Sequence, residues 1–174
     1  MTLKDYFPLH KDIYPVGRLD YDSEGLLLLT NDPLINQRLL NPSYRHEREY
    51  WVQVEGEIDH RSLQKLESGV RISIDGKPYH TQKCKATKLS NDISIPERTP
   101  PIRFRKHIPT SWISLILTEG KNRQVRRMTA SIGFPTLRLI RVRIVKLTID
   151  SMQPGDLMEI SRNKIFRLLF DDKE

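Results

Sequence analysis

One cysteine, Cys84, stands among 174 residues, so no intramolecular disulfide can form. That suits a reducing compartment, and a cytoplasmic protein is the expectation. Cys84 lies between Lys83 and Lys85. A neighbouring cation can lower a thiol pKa, so the residues allow either a reactive thiol or an incidental one. The five histidines, at 10, 46, 60, 80 and 107, form no metal-ligand spacing. No apolar run approaches the roughly 20 residues of a membrane span; the longest covers residues 26–29. Residues 1–8 lack the apolar stretch of a signal peptide. Internal repeats and low-complexity tracts are absent too. Acidic residues are in deficit, 22 against 29 Lys and Arg, for a net charge of +7. Such an excess points to a polyanionic partner or to a basic solvated surface. The length fits one domain, or two lobes sharing one sheet.

The patterning predicts alternating strands and helices. Residues 25–30 form an apolar run ending in Asn31-Asp32-Pro33, which predicts a buried strand and then a helix over 33–40 opened by Pro33. Residues 49–55 alternate, with Tyr50, Val52 and Val54 on one face and Trp51, Gln53 and Glu55 on the other. Asp59 is placed to cap a helix ending at Gly69. Residues 70–95 predict short strands with a turn at Asp75-Gly76. A proline-rich loop spans 96–109, and residues 111–118 alternate again. Residues 122–131 predict a basic helix ending at Gly133, with Val125, Met128 and Ile132 as its apolar stripe. Residues 136–145 predict a strand with Leu137, Leu139, Arg141 and Arg143 on one face. Residues 165–170 predict a last helix. The fold class expected is α+β, with a mixed, mostly antiparallel sheet and flanking helices.

Three segments stand out chemically. One of them, 137–143, puts Arg138, Arg141 and Arg143 on both faces of one strand, so that at least one should approach a buried or partner-facing site. At 17–30 a polar loop, Gly17-Arg18-Leu19-Asp20-Tyr21-Asp22-Ser23-Glu24, runs straight into the apolar stretch. A carboxylate at such an edge can face a cleft from rigid backbone. The same residues also fit a solvated turn. At 118–128, Lys121, Arg123, Arg126 and Arg127 crowd a helix start. A helix N-terminus already carries partial positive charge, so an anion should offset these cations. RNA phosphate would serve, and so would a carboxylate from elsewhere in the chain.

The run Gly-Arg-Leu-Asp-x-x-Ser-Glu-Gly-Leu-Leu-Leu-Leu-Thr-Asn-Asp at 17–32 resembles the catalytic motif of the RsuA-type pseudouridine synthases. Glu-Gly-Lys-Asn-Arg-Gln-Val-Arg-Arg-Met at 119–128 resembles that family's second signature. Pro-Thr-Leu-Arg-Leu-Ile-Arg at 135–141 and Glu-Arg-Glu-Tyr-Trp-Val-Gln-Val at 47–54 continue the match, in the right order. Residues 100–112 are similar to the large-subunit branch of the family, type E, which implies 23S ribosomal RNA as substrate.

The resemblance implies the pseudouridine synthase catalytic fold, with a central RNA-binding cleft and the whole chain, 1–174, as one catalytic domain. It implies isomerisation of a uridine, needing no cofactor and no metal. It assigns catalysis to Asp20, pairs Asp20 with Arg126, and stacks Tyr50 on the uracil. A buried charge left by removing Arg126 would cost roughly 3–5 kcal/mol. The uridine must leave its helix by base flipping, and Arg18 is the candidate to fill the vacated space. Lys121, Arg123, Gln124, Arg127, Arg138 and Arg141 are the further RNA-binding candidates. A monomer working on ribosomal RNA, away from membranes, is expected. The family usually begins with a strand bearing Asn-Lys-Pro, and many members carry a small N-terminal RNA-binding domain; neither is expected in this chain. Lys121 replaces the family's commoner arginine. The rivals are a catalytically silent RNA-binding protein on the same fold, and a synthase acting on another ribosomal site.

Overall fold

A computed structural model of the chain describes residues 7, 10–90, 92–102, 105, 107–150 and 152–170. Most of the signal-peptide reading of residues 1–8, and positions 103, 104 and 106 of the branch segment, lie outside the described residues. The elements run β1 (Tyr14–Pro15), β2 (Glu24–Gly25), β3 (Leu29–Thr30), α1 (Pro33–Leu40), β4 (Arg48–Glu55), α2 (His60–Ser68), β5 (Arg71–Ile74), β6 (Lys77–His80), β7 (Lys85–Lys88), β8 (Thr110–Leu117), α3 (Gln124–Ser131), β9 (Thr136–Ile144), β10 (Leu147–Thr148) and α4 (Arg162–Phe170). The class is α+β, as expected.

The central sheet has the order β10-β9-β4-β8-β7, with β2 also joined to β9. The β2–β9 pair is parallel. The other pairs in the sheet are antiparallel. β5 and β6 form a separate hairpin. Its turn puts Asp75 and Gly76 at φ of 50° and 79°, the paired left-handed conformations a tight hairpin needs.

The helices start where their caps dictate. The Asp32 carboxylate accepts from the Leu34 N–H at 2.9 Å, and Pro33 opens α1. The Asp59 carboxylate accepts from the Ser62 N–H at 2.7 Å and so starts α2. α4 begins three residues before its apolar stretch, because Ile165 and Leu169 are its buried positions and the preceding turn is polar. α3 starts at Gln124, after Arg123 in a left-handed conformation.

The buried strand predicted over 25–30 is split in two. Gly25 has a φ of 97°, which ends β2 after two residues. The Leu26 N–H then donates to the Arg141 carbonyl at 2.8 Å, and the Val16 N–H donates to the Leu28 carbonyl at 2.8 Å. The apolar run therefore crosses from one sheet to another.

β9 corrects a second expectation. Tyr50 pairs with Arg141, yet the next residue, Glu49, pairs with Arg143. Val142 is the extra residue of a β-bulge, which resets the alternation. Arg141 stays on the face of Tyr50, and Arg143 turns to the opposite face, where its Nε donates to Glu49 at 2.9 Å. A strict period of two misses this.

Two apolar clusters form the core. Val52, Val54, Leu66, Ile113, Leu115 and Met128 centre the larger, under α2 and α3. Val16, Ile35, Leu39, Ile144, Ile165 and Leu169 form the smaller, under α1 and α4.

Candidate active site

A cleft of about 530 Å³ is lined by members of both clusters, among them Leu39, Ile144, Leu117 and Leu139. Several separate chain segments supply its polar groups. The 17–23 loop brings Arg18 and Asp20, the β4–β9 face brings Tyr50 and Arg141, and the 118–125 turn brings Lys121, Arg123 and Gln124.

The loop is locked against β9 by Gly25. A Cβ at that position would meet the Arg141 carbonyl oxygen at 2.4 Å, so only glycine permits this approach. The Ser23 N–H donates to the Asp20 carbonyl at 2.9 Å and closes the turn.

Asp20 is about one-third exposed and faces two guanidinium groups. Arg123 Nη1 lies 3.6 Å and Arg126 Nε 4.0 Å from its Oδ2. The main anchor of both arginines is Asp22. Arg123 grips its carboxylate with two bonds, of 2.9 and 3.0 Å. Arg126 Nη2 donates to the Asp22 carbonyl at 2.6 Å and lies 3.4 Å from its carboxylate. Arg126 Nε is buried with no hydrogen-bond partner among the described residues.

The electrostatics follow. The Arg123 fork holds Asp22 below the usual carboxylate range, against the opposing effect of burial. Asp22 in turn pushes Arg123 up. Burial pushes Arg126 down, and the charge of Asp22 opposes that. Two of the four crowded cations at the start of α3, Arg123 and Arg126, thus meet carboxylates from the 17–23 loop.

A second network fixes the turn before α3. Glu119, 8% exposed, accepts from the Tyr79 hydroxyl. It also accepts from the Gln82 N–H at 2.9 Å and from Gln124 Nε2 at 2.5 Å. The bond to Glu119, with burial behind it, pushes Tyr79 up to about 12. Gln124 accepts from the Lys121 N–H at 2.9 Å. Gln124, named as an RNA contact, is buried and serves this network.

Other expected site residues lie elsewhere. Arg138 is on the opposite sheet face, 9% exposed. Its Nε and Nη2 grip Glu24 at 3.0 and 2.8 Å, and its guanidinium stacks over Trp112. Arg127 lies outside the cleft lining and donates to the Ser73 carbonyl. Arg18 and Lys121 are exposed, and Lys121 sits over the Tyr79 ring at 5.3 Å. Sequence reasoning missed Asp22 as the anchor, Glu119 as the hub, and Arg48. Asp22 had a signal, since it lies two residues from Asp20 on a turn.

Cys84 is no reactive thiol. Its Sγ–H donates to the Leu66 carbonyl at 3.2 Å, and burial pushes it up to about 12. Among the described residues no cluster of three His, Cys, Asp or Glu is placed to hold a metal ion. No helix there is long and apolar enough to cross a membrane.

The family model described as RNA pseudouridylate synthase matches residues 2–131. The ribosomal large subunit pseudouridine synthase E of Vibrio parahaemolyticus is 46% identical over 159 residues, covering 91% of this chain and 64% of that protein. The enzyme of the same name from Xanthomonas campestris is 48% identical over 149 residues, covering 86% of this chain and 78% of that protein. The chain therefore spans just under two thirds of the length of the Vibrio relative. A crystal structure titled as a pseudouridylate synthase shares the fold, with a TM-score of 0.77 at 24% identity, covering 97% of this chain and 65% of that one. On the strength of the family model and these relatives, the chain belongs to the RNA pseudouridylate synthase family.

Proposed function

We propose that this chain is an RNA pseudouridine synthase that isomerises a uridine in 23S ribosomal RNA. The observation that carries the reading is convergence. Asp20, Tyr50 and Arg123 come from three distant segments and line one cleft, with Arg126 of α3 beside Asp20. The names of the Vibrio and Xanthomonas relatives, both ribosomal large subunit pseudouridine synthases, support the substrate.

The reaction breaks the bond between ribose C1′ and uracil N1, turns the base, and joins C1′ to C5. The C5 hydrogen leaves as a proton and N1 gains one, so no electrons are transferred to another molecule. Asp20 supplies the carboxylate, which adds to the nucleotide or takes a proton from it. Arg123 and Arg126 offset its negative charge, and Asp22 holds both guanidiniums in place. Tyr50 stacks on the flipped uracil and is placed to move the C5 proton. Arg18, exposed at the rim, fills the gap the base leaves. Lys121 and Arg127 contact phosphates. The single catalytic domain works as a monomer in the cytoplasm.

The test is to incubate the protein with a 23S transcript, treat the RNA with carbodiimide, and look for primer-extension stops at pseudouridine. A new stop at one uridine is expected. RNA binding without any stop would favour the silent binding protein.

A further inference from the structure

Arg48 and Arg141 stand apart from the other arginines around the cleft. Of the other arginines lining the cleft, Arg18 is exposed to solvent and Arg123 has carboxylates within ion-pair reach; behind the cleft, Arg126, Arg138 and Arg143 are paired as well. Arg48 and Arg141 have none among the described residues. Both line the cleft. Arg48 lies two residues from Tyr50 on β4, and Arg141 is the β9 partner of Tyr50, so all three share one sheet face.

Both guanidiniums are held by backbone. Arg141, 5% exposed, donates from Nε to the Leu26 carbonyl at 2.8 Å. Its Nη2 is buried with no acceptor among the described residues. Arg48 donates from Nη2 to the Leu39 carbonyl at 2.9 Å and from Nη1 to the His46 carbonyl at 3.4 Å. Burial pushes Arg48 down; the neighbouring Tyr50 opposes that and the charge of Arg141 adds to it. Arginine keeps its proton regardless. A buried guanidinium, Arg141, beside a half-buried one, Arg48, without a counter-ion is unfavourable unless a ligand supplies one. The acids of the cleft are committed elsewhere: Glu119 to Tyr79, Gln82 and Gln124, and Asp20 to the arginines of α3.

We propose that Arg48 and Arg141 form a phosphate site on the cleft floor, holding the phosphate of the nucleotide whose base lies on Tyr50. Uracil oxygens are neutral acceptors and would leave both charges uncompensated. A phosphate matches the guanidinium fork and brings negative charge. Two residues along a strand span roughly 7 Å, the order of separation between a base and the phosphate on its own ribose. The inference rests on the cleft being the uridine site.

The test uses the whole chain. Thermal melts in inorganic phosphate are compared with melts in chloride at matched ionic strength, for wild type, Arg48→Gln, Arg141→Gln and the surface control Arg61→Gln. Phosphate should raise the midpoint saturably in wild type and Arg61→Gln, and the rise should vanish in the two site variants. An equal rise in all four would overturn the proposal. Should the variants fail to fold, calorimetric titration of wild type with uridine 5′-monophosphate and with uridine decides. At least tenfold tighter binding of the nucleotide is expected, and equal affinity contradicts the site. The RNA source is read from transcript binding, where Arg141→Gln should flatten the salt slope by about one; an unchanged slope overturns the RNA assignment. Pseudouridine formation by wild type without any phosphate preference would sink the site and leave the synthase reading intact.

Discussion

Arg126 is anchored on Asp22 and only flanks Asp20. Its Nη2 donates to the Asp22 carbonyl at 2.6 Å, while its Nε, 4.0 Å from the Asp20 carboxylate, has no hydrogen-bond partner among the described residues. The arginine is thus held in place by one aspartate with a donor left aimed toward the other. A ligand, or a small shift of Asp20, would satisfy that donor.

The partners of Arg126 are not deeply buried, since the side chain of Asp22 is 39% exposed. The cost of Arg126→Ala should therefore fall below the roughly 3–5 kcal/mol of a fully buried pair. A loss of about 1–3 kcal/mol, the range for a hydrogen bond to a charged group, is expected in denaturant unfolding. Catalysis should fall much further than stability, because the 17–23 loop loses its clamp. Wild-type turnover in a folded Arg126→Ala protein would refute the clamp.

The Asp22–Arg123 pair should show in acid. The folded Asp22 carboxyl sits below its ordinary value of 3.8. Its contribution to stability is thus complete above the unfolded value and is lost as pH falls through the folded one. Unfolding curves of wild type and Arg123→Gln should differ by a constant amount above about pH 5 and converge below 3.8. A gap that widens in acid would contradict the pairing.

Gly25→Ala tests the lock between loop and sheet. The new Cβ meets the Arg141 carbonyl oxygen at 2.4 Å, and the backbone keeps a positive φ. Displacement of β2 should cost about 1–3 kcal/mol and move Asp20. The expected result is a lower melting point with pseudouridine formation lost. Unchanged activity would mean that the loop is held elsewhere.

Cys84 should resist thiol reagents. Burial, with the charges of Glu67 and Glu119, pushes its thiol up to about 12. Labelling by a disulfide reagent at pH 8 should be slow in the native protein and immediate after denaturation. Fast native labelling would show an accessible thiolate.

Much of this was written in the local pattern. The β4 alternation, the Asp59 cap and the Asp75-Gly76 turn depend on neighbouring residues, and all appear as expected. The split at Gly25 was not legible, because a buried strand and a crossing between sheets have the same apolar composition. Nor was the bulge at Val142, which exists only in the register against β4. That bulge separates Arg141 from Arg143, so the cleft-facing arginine was one of three candidates until pairing chose it. Arg48 and Glu119 fall inside the matched runs, but what each side chain holds is set by the packing around it and not by its sequence neighbours.

The most direct measurement is tritium release from 5-tritiated uridine in 23S transcript, comparing wild type with Asp20→Asn. The substitution keeps size and removes only the charge. The account predicts release by wild type and none by the variant, with both proteins folded and bound to RNA. Equal release from the two would contradict the central role of Asp20.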